Sequence, residues 1–323
     1  MAWEALRSCC VREDPEGLVV LESSGGKRAP VWPYSQVLAA AADLAMLSGD
    51  PSEAERLVDG LVPYARGDGY APMPGTRRRY YDDNAWIGLA LIQLHLQTGE
   101  RRHLEHSRRI LRFVAEGRTP EGGVRWVEGR RSLNTCSTAP AAQLALRVHL
   151  IDGDGESLTF GRRTLAWLDR TLGMPGGLYA DHVDRHGVDE TLWTYNQGAA
   201  LGAHALLHRV TDDDEALRAA RRTAAGSLRR FDHDRTWRHP PVFNAVWFRN
   251  LLALQSIERV PGLDDAIDRY LERAWSNGRD REAGLITEGG IGSYDGTPTI
   301  DASGLVQLFA LQAWPPDRLA DIC

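Results

Sequence analysis

Six alanine- and leucine-rich segments recur along the chain at nearly constant spacing, each followed by a turn and a more polar segment with helical periodicity. They begin near residues 32, 82, 136, 192, 241 and 301, at intervals of 50, 54, 56, 49 and 60 residues. A helix that is apolar on nearly every side is buried, whereas an amphipathic helix covers it from the solvent side. A repeat of this length, made of one helix pair, predicts stacked helical hairpins.

Six inner helices are enough to close a ring of hairpins. We therefore predict an all-α fold, an (α/α)6 barrel, as a single domain over residues 1–323. Asp212–Asp214 and Asp264–Asp265 open outer helices and are expected to cap them. After Trp314 only nine residues remain, too few for a sixth outer helix. We expect Ala2–Ser8 to take that place.

The connections between the helices are asymmetric in length. Links from an inner to an outer helix are short, whereas the returning links run roughly over 66–81, 118–135, 172–191 and 278–300. Long loops in a compact domain are usually functional. In a ring of hairpins they all lie at the N-terminal ends of the inner helices, so the functional site is expected there.

The residues at these helix starts are mostly aromatic rings, amides and carboxylates. Aromatic faces stack on the C–H faces of sugar rings, and amides and carboxylates bind hydroxyls, so the set is typical of a carbohydrate cleft. The alternative for each ring is that it only fills the barrel interior. The predicted substrate-binding residues are Tyr34, Tyr81, Trp86, Trp126, Asn134, Trp193, Tyr195, Asn196 and Gln197.

The acidic pair Asp82–Asp83 differs from the other acidic pairs because it opens an inner helix, under a long loop and between Tyr81 and Trp86. Two carboxyl groups facing a buried mouth are unfavourable unless one stays protonated. Glycosidases use such a pair, one ionised and one protonated, about 5 Å apart in retaining enzymes. We predict that Asp82 and Asp83 are catalytic.

Composition and the remaining motifs exclude several other classes. A net charge of −6 without a basic stripe argues against nucleic acid, and no apolar run is long enough to span a membrane. Four scattered cysteines and the lack of a signal-peptide pattern predict a cytoplasmic protein. His204 with His208, and His182 with His186, have the spacing of zinc ligands, but no third ligand is evident. We predict no metal and no cofactor.

Three segments resemble the hallmark segments of glycoside hydrolase family 76: Tyr81–Trp86, Gly122–Trp126 and Glu190–Gly198. That family comprises bacterial and fungal endo-α-1,6-mannanases with an (α/α)6 barrel, and the resemblance covers about residues 31–314. It implies that Asp82 is the nucleophile, Asp83 the acid/base, and an α-linked oligosaccharide the substrate. The chain departs from the family at Phe243–Arg249, where members usually carry a glycine-rich, charged motif.

Three alternatives to a retaining glycosidase use the same barrel. A transglycosidase would employ the same aspartates but exclude water from the acceptor site. A non-catalytic carbohydrate-binding barrel would keep the aromatic rings and tolerate the loss of either carboxylate, yet both are present. A sugar epimerase would need histidines at the inner helix starts, and none lies there.

Overall fold

The inner helices form a closed ring. The computed structural model describes residues 1–278, residue 284 and residues 298–322. Each inner helix packs against the next, and the last packs against the first, so the predicted (α/α)6 barrel is confirmed. The inner helices are α2 (Val31–Ser48), α4 (Tyr81–Thr98), α6 (Thr135–Asp152), α8 (Thr194–Thr211), α10 (Pro241–Gln255) and α12 (Pro298–Gln312).

The outer helices are amphipathic and cover this ring. The helix at the start of the chain packs on α12, which is the outer position that Ala2–Ser8 was expected to fill. Three short 3-10 helices, Val62–Tyr64, His233–Arg238 and Pro316–Asp321, supplement them. The outer helices are α1 (Ala2–Cys10), α3 (Ser52–Asp59), α5 (Arg101–Glu116), α7 (Gly155–Leu172), α9 (Asp214–Arg230) and α11 (Leu263–Asn277).

The hairpin turns follow a common design. Helices α2, α4 and α6 end at Gly49, Gly99 and Gly153, each with a positive φ between 71° and 78°. That conformation favours glycine, because no Cβ clashes there. Two of the outer helices, α7 and α9, then open on a capping aspartate, Asp154 or Asp213, which accepts hydrogen bonds from two backbone amides of the first turn. Asp264 and Asp265 lie in the first turn of α11, after Gly262, and are not its N-cap.

Short antiparallel strands shape the long loops and the N-terminal segment. All of these strands lie outside the helical ring, and most lie at its mouth. They are β1 (Val11–Asp14) with β2 (Gly17–Val20), β3 (Ala65–Arg66) with β4 (Gly69–Tyr70), β6 (Gly173–Met174) with β7 (Leu178–Tyr179), and a three-stranded sheet of β5 (Leu133–Asn134), β8 (His182–Asp184) and β9 (Gly187–Asp189).

Polar side chains meet on the barrel axis. The Arg249 guanidinium on α10 pairs with the Asp43 carboxylate on α2 and donates to Gln307 Oε1 on α12 at 3.2 Å. All three side chains are buried. Removing one partner of such a pair would leave a buried charge uncompensated. Arg249, at the end of the segment that departs from the family pattern, therefore ties together the helices that close the ring.

The glycine of Thr194–Gly198 has a packing role. A Cβ on Gly198 would lie 2.5 Å from the Cα of Trp247, so only glycine allows α8 to approach α10 this closely. Within the described ranges, no helix has the length and apolarity that a membrane crossing requires.

Candidate active site

Asp82 and Asp83 occupy the first turn of α4, at the mouth of the barrel. The Trp126 indole Nε1 donates to Asp82 Oδ2 at 3.0 Å, and the Cys136 thiol lies 3.6 Å from the same oxygen. Asp82 Oδ1 is buried and makes no hydrogen bond with any described residue. Asp83 is only 8% exposed. The pair thus lies beneath Trp126, which reaches over it from the loop between α5 and α6.

The two carboxyls differ in their affinity for a proton. Burial raises the pKa of Asp82 to about 7, although the backbone amide of Asp83 and the Trp126 indole favour its ionised form. Burial, and next the charge of Asp82, raise the pKa of Asp83 well above its ordinary value. Asp82 is therefore the member of the pair that ionises first, while Asp83 retains its proton. A retaining glycosidase needs this division between a nucleophile and an acid.

Aromatic rings form a wall on the far side of the mouth. Tyr195 stacks on Phe243 with ring centroids 4.0 Å apart, and Trp193 meets Phe243 edge-on at 5.7 Å. Trp32, at the start of α2, packs against the same cluster and lies 5.9 Å from Trp86. These rings come from α2, α8 and α10, so the ring closure brings together residues more than 200 positions apart.

A third carboxylate, Asp181, lies just before β8. Its Oδ1 accepts a hydrogen bond from Asn196 Nδ2 at 3.0 Å, and its Oδ2 lies 2.9 Å from His182 Nδ1. Strand pairing places Asn134, the N-cap of α6, opposite His182. The backbone amide of Thr135, the residue before Cys136, donates to the Asp181 carbonyl at 2.9 Å, which places Asp181 beside the start of α6.

Sequence comparison then assigns the chain to a family. Residues 17–273 match the model described as glycosyl hydrolase family 76. The chain belongs to glycoside hydrolase family 76. No curated protein matches it by sequence. The resemblance of the segments around Asp82, Trp126 and Trp193 is thereby confirmed at the level of the family.

Solved structures of family 76 share the fold at low identity. A family 76 glycoside hydrolase from a bovine Bacteroides thetaiotaomicron strain superposes with a TM-score of 0.85 at 22% identity, over 97% of this chain and 76% of the other. The α-1,6-mannanase of Salegentibacter sp. HEL1_6 gives a TM-score of 0.79 at 22% identity, over 97% of each chain. An inactive variant of that mannanase, with two consecutive aspartates replaced by asparagine, was solved with α-1,6-mannotriose; its TM-score is 0.77 at 20% identity, over 97% of each chain.

Three predicted substrate-binding residues prove to be structural. The Tyr34 hydroxyl is buried and donates to the backbone carbonyls of Leu18 and Leu57, at 2.7 and 2.8 Å. Gln197 is also buried, and its amide bonds both the N–H and the C=O of Tyr179. These residues lie four positions after their helix N-caps, where the side chain turns toward the preceding loop instead of the cleft.

The side chain four positions after the N-cap anchors a loop in other inner helices as well. Asn84 Oδ1 accepts from the Tyr70 amide at 2.7 Å, while its Nδ2 donates to the carbonyls of Tyr70 and Tyr80. Thr138 accepts from the Val124 amide, and Asn244 donates to the Thr236 carbonyl. One helical position thus fixes the loop preceding each of five inner helices.

Tyr81 is the third predicted substrate-binding residue that proves to be structural. Its ring stacks on Phe113 of α5, with centroids 4.9 Å apart, and therefore faces the outer layer. Trp86 lies one turn after Asp82 in α4 and borders a small cavity on the barrel axis, and its binding role stays a prediction. Asn196 contacts the cleft through Asp181, as its amide orients that carboxylate. Trp126, Asn134, Trp193 and Tyr195 lie around the mouth, where their binding role stays a prediction.

The site also contains residues that the sequence patterns did not single out. Cys136 contacts Asp82 from the next inner helix, Asp181 lies on the loop beside the start of that helix, and no local motif marks either. Trp32 was visible at the start of α2, two residues before Tyr34, but its direction could not be read from a helix that is apolar all round. The candidate zinc histidines have other partners: His204 binds Asp169, and His208 lies 3.1 Å from the Asp213 carbonyl.

Proposed function

We propose that this member of family 76 is a retaining glycoside hydrolase that cleaves α-1,6-linked mannosides or closely related α-linked oligosaccharides. The observation that carries the proposal is the pair at the start of α4, with Asp83 held protonated beside Asp82, which ionises first. The pair lies in a cleft with an aromatic wall, and the chain shares its fold with an α-1,6-mannanase.

In the first step, Asp82 acts as the nucleophile. Its carboxylate attacks the anomeric carbon while the glycosidic C–O bond breaks, and the electron pair of that bond passes to the leaving oxygen. Asp83 donates its proton to this oxygen, so the leaving sugar departs as an alcohol. The positive end of the α4 dipole favours the ionised form of Asp82 before the attack.

In the second step, the same groups release the sugar. Asp83, now ionised, takes a proton from a water molecule, whose oxygen attacks the anomeric carbon. The bond to Asp82 breaks, and its electron pair restores the carboxylate. Two inversions leave the α-configuration of the product unchanged.

The walls of the cleft supply groups suited to a neutral sugar. Trp193 and Tyr195 offer aromatic faces for the C–H side of a hexose, and Asp181 offers carboxylate oxygens to neighbouring hydroxyls. Asn196 holds Asp181 in place, so this carboxylate is oriented before substrate enters. Orientation in advance reduces the entropy lost on binding.

The experiment compares the variants Asp82→Asn and Asp83→Asn on two substrates, α-1,6-mannotriose and an aryl α-mannoside with an activated leaving group. Asp82→Asn should abolish turnover of both, since no covalent intermediate forms. Asp83→Asn should lose at least about 10²-fold on the trisaccharide. It should lose less in the first step with the activated substrate, because that leaving group departs with little protonation.

Asp265→Asn is the matched control, because it removes an exposed carboxylate from the first turn of α11. It should retain full activity, and thermal melting should show all three variants folded. Near-native turnover by a folded Asp82→Asn variant would contradict the proposal. Product analysis separates the alternatives: longer oligosaccharides in place of free mannose would indicate transglycosylation, and binding without turnover by the unaltered protein would indicate a non-catalytic barrel.

A further inference from the structure

We infer that Cys136 is a positioning residue for the nucleophile: its S–H group donates to Oδ2 of Asp82 and holds the carboxylate in place. The inference rests on the proposed role of Asp82. It adds a residue from α6 to the reaction centre on α4.

The geometry places two donors on one oxygen. Cys136, the second residue of α6, has its Sγ 3.6 Å from Asp82 Oδ2, a distance suited to a donor as large as sulfur. The Trp126 indole donates to the same Oδ2 from the loop between α5 and α6. Two side-chain donors on one oxygen fix the rotation of the carboxylate about its Cβ–Cγ bond.

The thiol can act only as a donor toward Asp82. Burial raises the pKa of Cys136 well above its ordinary value, and the nearby charges of Asp82 and Asp181 raise it further. Cys136 therefore keeps its proton at neutral pH, and that proton is shared with the nearest acceptor. The titratable groups around it are Asp82 and Asp83 on α4, Asp181 on the loop before β8, and Tyr195 on α8.

Two donors at Oδ2 are useful in both steps of the reaction. When Asp82 bonds to the anomeric carbon, its Oδ2 continues to accept from Trp126 and Cys136. In the second step the same donors stabilise the carboxylate as it leaves. Hydrogen bonds that persist from reactant to intermediate keep the group oriented without reorganisation.

The kinetic test compares Cys136→Ala, Cys136→Ser and a control, Cys9→Ala, which lies on the outer helix α1. Removing the donor should raise the pKa of Asp82, since the donor favours the ionised form. The acidic limb of kcat/KM for an aryl α-mannoside should therefore move to higher pH in Cys136→Ala. The maximal value should fall roughly 10- to 150-fold, the range for a hydrogen bond to a charged group. Cys136→Ser keeps a donor and should retain most of the activity, and Cys9→Ala all of it.

A second measurement does not depend on enzymatic activity. The S–H stretching band in the infrared should lose one component in Cys136→Ala, and that component should shift in Asp82→Asn, because an amide oxygen is a weaker acceptor than a carboxylate. An unmoved band in Asp82→Asn, or an unchanged pH profile and rate in Cys136→Ala, would overturn the inference. If no substrate is turned over at all, the proposed function fails, while the infrared band still decides whether Cys136 holds Asp82.

Discussion

Replacing Asp82 by Asn should stabilise the protein at alkaline pH. The pKa of Asp82 is about 7 in the folded state and close to 3.8 in an unfolded chain. The folded protein therefore binds a proton at this site more tightly than the unfolded chain does. Its stability falls as the pH rises from about 4 to about 7, and the full penalty remains at higher pH. Asparagine carries no such penalty.

The structure sets the size of the effect. A rise in pKa from 3.8 to about 7 corresponds to about 4 kcal/mol of unfolding free energy. The Asp82 side chain keeps some contact with solvent at the mouth, so screening reduces this figure, and we expect about 2 kcal/mol. For a domain of this size that raises the melting temperature by roughly 2 to 4 °C.

The assay is thermal or urea unfolding of the wild-type protein and the Asp82→Asn variant at several pH values between 5 and 9. The difference in stability at pH 5 should be less than half of its full value, and it should grow until about pH 8. Asp83→Asn should behave in the same direction, because the pKa of Asp83 is also raised. Asp265→Asn is the control and should show no such growth. A gap that stays constant or reverses as the pH rises would refute the reasoning, since it would mean that Asp82 is not held in a protonated state by burial.

Three further outcomes follow from the geometry. Replacing Trp193 by Ala in an inactive Asp83→Asn background should weaken binding of α-1,6-mannotriose by roughly 1–3 kcal/mol in calorimetry. Trp126→Ala should have the same effect. Unchanged affinity would mean that these rings only pack within the protein. Asn84→Ala removes three hydrogen bonds to backbone groups and should lower the unfolding free energy in urea by about 3 kcal/mol. Equal stability of this variant and the wild type would contradict the anchoring role. In proton NMR of early turnover the α-anomer should appear first, and initial β-product would exclude double displacement.

The ring of hairpins could be predicted from sequence because its signals are repeated and local. The turns at Gly49, Gly99 and Gly153 and the regular spacing of apolar segments each mark one hairpin, and the structure starts every inner helix within three residues of the predicted position. The acidic pair was also visible, because it opens an inner helix where the other acidic pairs open outer ones.

The direction of individual side chains could not be predicted in the same way. An inner helix is buried on every side, so its apolar pattern has no preferred face, and adjacent residues differ by about 100° around the axis. Tyr81 and Asp82 are neighbours in sequence, yet one stacks on the outer layer and the other faces the cleft. Trp126 and Asp181 lie on loops whose course depends on strand pairs of two or three residues. Strands this short have too few residues to produce a recognisable alternating pattern in the sequence.

The closure of the ring has a consequence for how the chain acquires its fold during synthesis. α2 emerges early from the ribosome, but the neighbour that completes its apolar surroundings, α12, is made more than 250 residues later. Until then α1 and the side of α2 that α12 will cover remain without that neighbour, and the nascent protein is an open arc with an exposed seam. The Asp43–Arg249 pair and the Gln307 contact form only when that seam shuts. The aromatic wall spans the same seam, from Trp32 to Phe243, so binding competence should arise only with the last helix, and an arrested chain lacking α12 should be a substrate for chaperones.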